Sequence, residues 1–200
     1  MNSNELRQEI LKLVRKYGED NFKKIAFQEG DPIPSSGKVI GENELVTMTD
    51  AVLDGWLTSG RYNDLFQKKL SQYIGIKHVL TTNSGSSANL LAFSALTSLR
   101  LGERRIKPGD EVITVAAGFP TTVNPILQNN CIPVFVDVHI PTYNIDVSML
   151  EDAYSNKTKA VMIAHTLGNP FNLDKIKEFT EKYNLWLIED CCDSLGSTYK

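Results

Sequence analysis

Residues 160–190 read AVMIAHTLGNPFNLDKIKEFTEKYNLWLIED. The segments at 160–164 and 186–189 are short and largely apolar without alternation, which is typical of strands covered on both faces. Between them, residues 173–183 place apolar side chains at helical spacing. Two such strands joined by a helix predict a βαβ unit with parallel strands and a right-handed crossover.

The same alternation extends towards the N-terminus. Further strands are predicted at 78–82, 111–115 and 132–136, and further helices at 86–100, 119–128 and 147–154. Five strands alternating with helices predict an α/β fold with a mainly parallel sheet and helices on both faces. Before the first strand we predict helices at 5–17, 43–57 and 64–73, a Gly/Pro/Ser-rich connector over 30–41 and a turn at 58–61.

The composition is that of an ordinary globular protein. The 200 residues carry 21 Lys and Arg against 24 Asp and Glu, a net charge of −3, which does not favour a nucleic-acid partner. The sequence shows no secretory signal and no apolar run long enough for a membrane span, so we expect a cytoplasmic protein. Three cysteines, two of them adjacent (Cys191 and Cys192), do not suggest a disulfide framework.

Four segments of chemical interest follow predicted strands. Ligands of parallel sheets bind beyond the carboxyl ends of the strands, so these segments are expected to converge. They are residues 82–89 (TNSGSSAN), 116–122 (AAGFPTT), 165–170 (HTLGNP) and 189–193 (EDCCD).

Two of these segments could bind parts of a cofactor. The small residues around Ser86, at the start of a helix, let backbone N–H groups approach an anion, although the same pattern also suits an ordinary helix cap. Phe119 could stack on a planar ring or fill the core beneath the next helix.

The other two segments carry titratable groups. Asp190 could pair with a protonated ring nitrogen or cap a turn. His165 is a candidate acid–base residue, although an isolated histidine is more often structural. Cys191 and Cys192 lack the spacing of a zinc site and resemble buried small hydrophobic residues.

Taken in order, the segments resemble the DegT/DnrJ/StrS sugar aminotransferase family, over nearly the whole chain from 55 to 197. The resemblance implies the pyridoxal-phosphate (PLP)-dependent transferase fold of type I, aspartate aminotransferase-like. Residues 1–45 would then form a helical extension with its connector, and residues 46–200 the first part of the PLP-binding large domain. The implied cofactor residues are Gly85, Ser86 and Ser87 at the phosphate, Phe119 on the ring, Asp190 at the pyridine nitrogen and Asp193 near the phenolic oxygen.

Within the family, the stretches NSGSSANLL, AGFPTT, HTLGNPF and EDCCD look like those of the 3-dehydrases, the subgroup that removes a sugar hydroxyl. This resemblance implies C3 dehydration of a CDP-linked 4-keto-6-deoxy hexose by pyridoxamine phosphate (PMP), in lipopolysaccharide O-antigen biosynthesis. The implied catalytic residues are Asp190 and His165. It also implies a homodimer, a 2Fe–2S cluster with a ligand at Cys191 or Cys192, and an NAD(P)H-dependent iron–sulfur flavin reductase as partner.

The residue that distinguishes the activities of this family is expected beyond Asp190. Aminotransferases of the family carry a Schiff-base lysine beyond the Glu-Asp segment, where the dehydrases carry a histidine. Lys200 follows Asp190 too soon to be that lysine, so we expect an N-terminal fragment that is inactive alone.

Two alternative functions stay open, a PLP-dependent nucleotide-sugar aminotransferase and a non-catalytic PLP-binding regulatory protein. A nicotinamide dehydrogenase is disfavoured, because no glycine fingerprint follows the first strand.

Overall fold

The computed structural model describes residues 2–22, 26–33 and 37–200. These residues form two compact units that divide between Val79 and Leu80. The connector predicted over 30–41 falls partly on residues 34–36, which lie outside the described residues. The domain boundary predicted after residue 45 stays a prediction.

The described residues of the first unit form three helices, which confirm the three predicted there. Their bounds are α1 (Ser3–Asn21), α2 (Glu42–Val52) and α3 (Arg61–Ile74). Helix α1 begins with a capping box: the Asn2 side chain accepts the N–H of Glu5, and the Glu5 carboxylate accepts the N–H of Asn2. Helix α2 stops before the predicted residue 57, since Gly55 turns the backbone into the left-handed region with φ of 62°.

A network of two arginines and two aspartates ties these helices together. Arg7 of α1 donates through Nε to Asp50 Oδ1 (2.6 Å) and through a second nitrogen to Asp54 (2.6 Å). Arg61, at the start of α3, donates to the same two carboxylates at 2.5 and 2.8 Å. The hydroxyl of Tyr62 also donates to Asp50, and these hydrogen bonds, with Tyr62 the largest contributor, hold the pKa of Asp50 well below its usual range.

This lowered pKa makes the stability of the first unit pH-dependent. A carboxyl with a depressed folded-state pKa stabilises the fold above its unfolded pKa of about 4 and loses that effect as the pH falls below it. We therefore expect Asp50→Asn to lower the urea midpoint of helix loss at pH 7, with the difference from wild type shrinking as the pH is taken from about 5 towards 3. Asp20→Asn, an exposed change on α1, serves as the control. A difference independent of pH would contradict the assignment.

The second unit is built on a parallel sheet. The strands of this unit are β1 (Glu111–Val115), β2 (Ile132–Val136), β3 (Val138–His139), β4 (Asn144–Ile145), β5 (Thr158–Ala164) and β6 (Trp186–Asp190). In the described residues the main sheet has four strands in the order β2-β1-β5-β6, and Ile113 of β1 lies opposite Val134 of β2 and Val161 of β5. Strands β3 and β4 form a small antiparallel ribbon that the sequence did not predict.

The strand predicted at 78–82 was wrong. Its backbone pairs with no strand in the part of the chain that the structure describes, and the sheet has four strands where five were expected. Leu80 is 75% exposed, so this apolar side chain of the segment is not buried in a core. A short apolar run becomes a strand only where a partner edge is available, and that is a property of the fold rather than of the run.

Helices cover both faces of the sheet, as predicted. Their bounds are α4 (Gly85–Ala95), α5 (Pro120–Gln128), α6 (Leu150–Ala153) and α7 (Leu173–Lys182). Phe93 of α4 and Ile126 of α5 pack with Val112 on one face. Leu150 of α6 and Ile176 of α7 belong to the cluster on the other face.

Two predicted helices are shorter than expected. The helix predicted at 86–100 ends at Ala95, and a 3₁₀ turn follows from Leu99 to Arg104 because the Ser98 side chain caps it by accepting the N–H of Arg100. The helix predicted at 147–154 is a 3₁₀ turn followed by the single turn of α6. In the described part of the chain, no helix combines the length and the apolar character that a membrane span requires.

The two tryptophans of the chain lie one in each unit. Trp56 follows α2 and donates through Nε1 to the carbonyl of Ser59 (2.8 Å). Trp186 begins β6 and donates through Nε1 to the carbonyl of Arg104 (2.8 Å), whose guanidinium lies 3.8 Å from the centre of the indole ring.

Candidate cofactor site

The strand order places a crevice between β1 and β5. The crossover from β1 to β2 and the crossover from β5 to β6 lead in opposite directions from the centre of the sheet, and ligands bind where the strand order reverses in this way. A cavity of about 620 Å³ lies at this edge. Seven of the predicted site residues line it, namely Gly85, Ser86, Phe119, His165, Asp190, Cys192 and Asp193.

The start of helix α4 presents free backbone donors to this cavity. The Ser84 hydroxyl caps the helix by accepting the N–H of Ser87 (3.1 Å), and the Ser84 carbonyl accepts the N–H of Ala88. Among the described residues, no acceptor takes the N–H of Gly85 or of Ser86. Two unpaired N–H groups at a helix N-terminus form a site suited to a phosphate. Ser87, by contrast, has its N–H committed to the cap.

Phe119 lies at the mouth of the cavity and not in the core. It precedes the first turn of α5, and its side chain is 70% exposed. The alternative that it fills the core beneath the helix is therefore wrong. An exposed ring beside the free N–H groups of α4 is available to stack on a planar ligand.

Asp190 is the last residue of β6 and is 8% exposed. Its Oδ2 accepts hydrogen bonds from Asn89 Nδ2 (2.8 Å) and Thr122 Oγ1 (2.7 Å). Among the described residues, the backbone N–H of Cys192 is the one donor to Asp190 Oδ1 (3.1 Å). The carboxylate is thus clamped by side chains from α4 and α5, and the bond to the Cys192 N–H adds the turn cap that the sequence also suggested.

Sequence reasoning did not single out Asn89 and Thr122. A polar residue on the buried face of an otherwise apolar helix was the available signal. Asn89 is separated from Asp190 by 101 positions, so only the fold shows that the two side chains meet.

His165 is held by partners on both sides of its ring. It is 6% exposed and stacks on Phe171, with the ring centres 4.1 Å apart and the planes 5° from parallel. Its Nδ1 accepts the N–H of Phe171 (3.4 Å), which places the ring proton on Nε2. That Nε2 lies 2.9 Å from Glu189 Oε2 and donates to it.

The adjacent cysteines have different neighbours. A Cβ added to Gly85 would lie 3.9 Å from Cys192 Sγ, which places this thiol beside the start of α4. Cys191 Sγ instead lies within 4.8 Å of the ligand atoms of His165 and Glu189, and desolvation raises the pKa of the Cys191 thiol. Both adjacent cysteines are exposed, so the expectation that they resemble buried small hydrophobic residues was wrong. Cys131 precedes β2 at the opposite edge of the sheet, where burial raises its pKa to about 11.

The described residues do not by themselves fit a metal centre. A 2Fe–2S cluster takes four protein ligands, and the Cys191–Cys192 pair supplies at most two of them. The group of His165, Glu189 and Cys191 has the ligand types of a zinc site. However, a metal-bound histidine donates a hydrogen bond through its second nitrogen, whereas Nδ1 of His165 accepts one.

Gly168 brings the loops after β5 and β6 into contact. Its φ is +79°, and an added Cβ would lie 2.7 Å from the carbonyl oxygen of Asp193. The Ser197 hydroxyl also donates to the Gly168 carbonyl (2.9 Å). This close approach sets the path of residues 190–193 and therefore shapes the cavity.

We expect Gly168→Ala to destabilise the second unit and to weaken ligand binding in the cavity. The left-handed conformation alone costs a non-glycine residue about 1–2 kcal/mol, and the clash with Asp193 adds to this. Gly109→Ala is a matched control, because Gly109 has φ of +86° with nothing within 4 Å of an added Cβ. Urea unfolding of both variants isolates the steric part of the effect. Equal losses of stability in the two variants would show that the backbone at Asp193 moves away from the added methyl group without a loss of free energy.

Together these features define the class of protein. A parallel α/β sheet that brings a helix N-terminus, an exposed aromatic ring and a buried carboxylate to one edge is the framework of the PLP-dependent transferases of fold type I. The chain belongs to the DegT/DnrJ/EryC1/StrS aminotransferase family, whose sequence profile it matches over residues 38–200. The resemblance expected from the motifs is thereby confirmed.

Two curated relatives and one solved structure show how similar the chain is to known members. It is 63% identical over 201 residues to the lipopolysaccharide biosynthesis protein RfbH of Salmonella typhimurium strain LT2, covering 100% of this chain and 46% of that protein. It is 44% identical to the dTDP-4-dehydro-2,6-dideoxy-D-glucose 3-dehydratase of Saccharopolyspora spinosa, covering 97% and 42%. A GDP-4-keto-6-deoxymannose-3-dehydratase with a trapped PLP–glutamate geminal diamine superposes with a TM-score of 0.79 at 31% identity, covering 84% of this chain and 43% of that one.

The chain therefore spans less than half the length of the curated relatives it matches. Fold and family are established for this chain by these similarities. The individual roles of the site residues stay predictions.

Proposed function

We propose that the chain forms the cofactor-binding part of a PMP-dependent lyase that removes the C3 hydroxyl of a CDP-linked 4-keto-6-deoxy hexose, in O-antigen biosynthesis. Two similarities support this proposal: the 63% identity to the Salmonella RfbH protein and the 44% identity to a sugar 3-dehydratase. The aminotransferase alternative has less support, because neither of these two relatives bears an aminotransferase name.

One observation carries the proposal. The free N–H groups at the start of α4, the exposed ring of Phe119 and the carboxylate of Asp190 all line one cavity. They match the three parts of a pyridoxal-type cofactor, which are a phosphate, an aromatic face and a ring nitrogen. The residues present thus fit the group.

Each residue has a distinct task in this proposal. The N–H groups of Gly85 and Ser86 hold the phosphate, and Phe119 covers one face of the ring and excludes water from it. Asp190 would keep a proton on the ring nitrogen, and Asp193 would be the residue near the phenolic oxygen. Bound PMP would supply an amine for the 4-keto group and a ring that stabilises the negative charge left when its methylene carbon loses a proton, so that this electron pair can depart with the C3 hydroxyl.

His165 remains our proposed acid–base residue. Its Nε2 is the nitrogen able to pass on a proton, because Nδ1 accepts the N–H of Phe171. Glu189 accepts a hydrogen bond from Nε2 and so orients the ring. The iron–sulfur cluster with its ligand at Cys191 or Cys192, the flavin reductase and the homodimer rest on the family resemblance alone. The cytoplasmic location stays an expectation from the sequence.

Ligand titration tests the cofactor site directly. We expect the 200-residue chain to bind PMP and PLP saturably, with inorganic phosphate competing and with pyridoxamine lacking the phosphate binding much more weakly. If the binding affinity did not depend on the phosphate group, the start of α4 would not be part of the binding site. Binding of neither cofactor would overturn the proposal.

Turnover of the whole protein tests the reaction. With PMP, a reducing system and the CDP-linked 4-keto-6-deoxy sugar, we expect loss of the C3 hydroxyl, detected by NMR of the product sugar, and we expect no turnover from the 200-residue chain alone. Transfer of an amino group from glutamate to the sugar would replace the proposal by the aminotransferase alternative.

A further inference from the structure

Helix α4 contributes residues of different chemistry to the lining of the cofactor cavity. Gly85, with its free N–H, and Asn89 are four residues apart and therefore share one face of the helix, about 6 Å apart along its axis. Both residues line the cavity. One rigid element thus presents an anion-binding end and, one turn later, an amide directed at Asp190.

The amide of Asn89 has only one orientation that satisfies its contacts. Its Nδ2 donates to Asp190 Oδ2 at 2.8 Å and to the carbonyl of Thr121 at 3.3 Å, and the residue is 8% exposed. Both partners are acceptors, so the NH₂ group has to face them. Asn89 is therefore a fixed donor rather than a side chain free to turn.

This donor makes the two oxygens of Asp190 unequal. Oδ2 accepts hydrogen bonds from the Asn89 amide and the Thr122 hydroxyl, whereas Oδ1 accepts one backbone N–H, at 3.1 Å, from the part of the chain that the structure describes. A carboxylate oxygen has two acceptor positions, so Oδ1 keeps one open. The open position is the one with which an N–H of a ligand in the cavity could pair.

We propose that Asn89 is a positioning residue, which turns Asp190 so that Oδ1 meets the ring N–H of a cofactor whose phosphate is held by the same helix. This inference rests on the proposed function. It differs from a purely stabilising role, because a stabilising contact would support every ligand of the cavity equally.

Two ligands that differ at one atom separate these roles. The probes are PMP and its 1-deaza analogue, in which a C–H group replaces the ring nitrogen. We expect wild type to prefer PMP, and Asn89→Leu to weaken PMP binding roughly tenfold to a hundredfold while changing binding of the analogue less than about twofold. Ser94→Ala, on the same helix, is the control that should change neither affinity.

A second variant tests the same prediction if Asn89→Leu does not fold. Thr122→Val removes the other donor to Oδ2 at nearly constant volume, and we expect the same selective loss of PMP affinity. The ¹⁵N chemical shift of the ring nitrogen in labelled PMP provides a readout independent of affinity, since it should move towards the unprotonated value in either variant.

The outcomes are distinguishable. Equal weakening of both ligands in the two variants, with wild type still preferring PMP, would overturn the role of Asn89 and leave the proposed function intact. Wild type that binds neither ligand would overturn the proposed function and this role with it.

Discussion

Replacing Asp190 with Asn should leave the whole protein folded but lower its turnover by roughly tens to a thousandfold. This range corresponds to the loss of a charge-assisted hydrogen bond of about 2–4 kcal/mol. The hydrogen bonds that Asp190 accepts from Asn89 and Thr122 explain why this isosteric change is damaging. Because Asn89 and Thr122 both donate to Oδ2, the side-chain carbonyl of the introduced asparagine would take that position and its NH₂ group the position of Oδ1. The NH₂ group would then face the ring nitrogen as a donor, and the ring would lose its proton.

The measurement is kcat on the CDP-linked 4-keto-6-deoxy sugar, with circular dichroism to verify folding. Asp152→Asn, an exposed change on α6, makes the same chemical substitution away from the cavity and should leave kcat unchanged. Turnover of Asp190→Asn near that of wild type would show that Asp190 serves only as a turn cap.

Replacing Phe171 with Ala should remove about 3–5 kcal/mol from the free energy of unfolding of the second unit. That is a large part of the 5–15 kcal/mol, approximately, that holds a typical domain together. Phe171 is 1% exposed, packs in the cluster that α6 and α7 form on the sheet, and supports the ring of His165. The urea midpoint of the second unit measures the loss.

Phe119→Ala is the matched control, because it deletes the same ring from an exposed position. We expect a change in stability within about 0.5 kcal/mol, together with weaker binding of PLP. A small loss in Phe171→Ala, comparable with that in Phe119→Ala, would mean that the core collapses around the missing ring.

These two phenylalanines show where sequence reasoning stopped. Each follows a strand at the carboxyl edge of the sheet; Phe119 belongs to one of the four segments predicted there, and Phe171 directly follows another. The strand rule brought both segments to the correct edge, because in parallel sheets ligand-binding loops gather there. It could not tell which ring is exposed to the cavity and which is in the core, since that depends on side chains far away in the chain.

The sheet itself was largely predictable. Strands β1, β2, β5 and β6 carry the apolar runs expected of strands buried on both faces, and their periodicity suffices to locate them. Residues 78–82 have a similar composition but meet no strand edge in the described residues, and this failed prediction shows that composition does not report pairing.

The candidate site was predictable as a set of segments and not as a set of contacts. Asp190 was expected to pair with a ring nitrogen or to cap a turn, and the sequence did not indicate that its orientation depends on Asn89 and Thr122, which approach it from two helices. His165 was a candidate acid–base residue, and the sequence did not indicate that both of its nitrogens have protein partners. Such pairings between residues distant in sequence become visible only once the helices are docked.

The division of the two tryptophans between the units gives the protein two natural optical reporters. Trp56 is 65% exposed in the helical unit, whereas Trp186 is half-buried at the start of β6. Fluorescence of a Trp56→Phe variant would follow the sheet alone, and that of a Trp186→Phe variant the helices alone. Coincident denaturation curves would mean that the two units melt as one cooperative block, and separate curves that they melt independently.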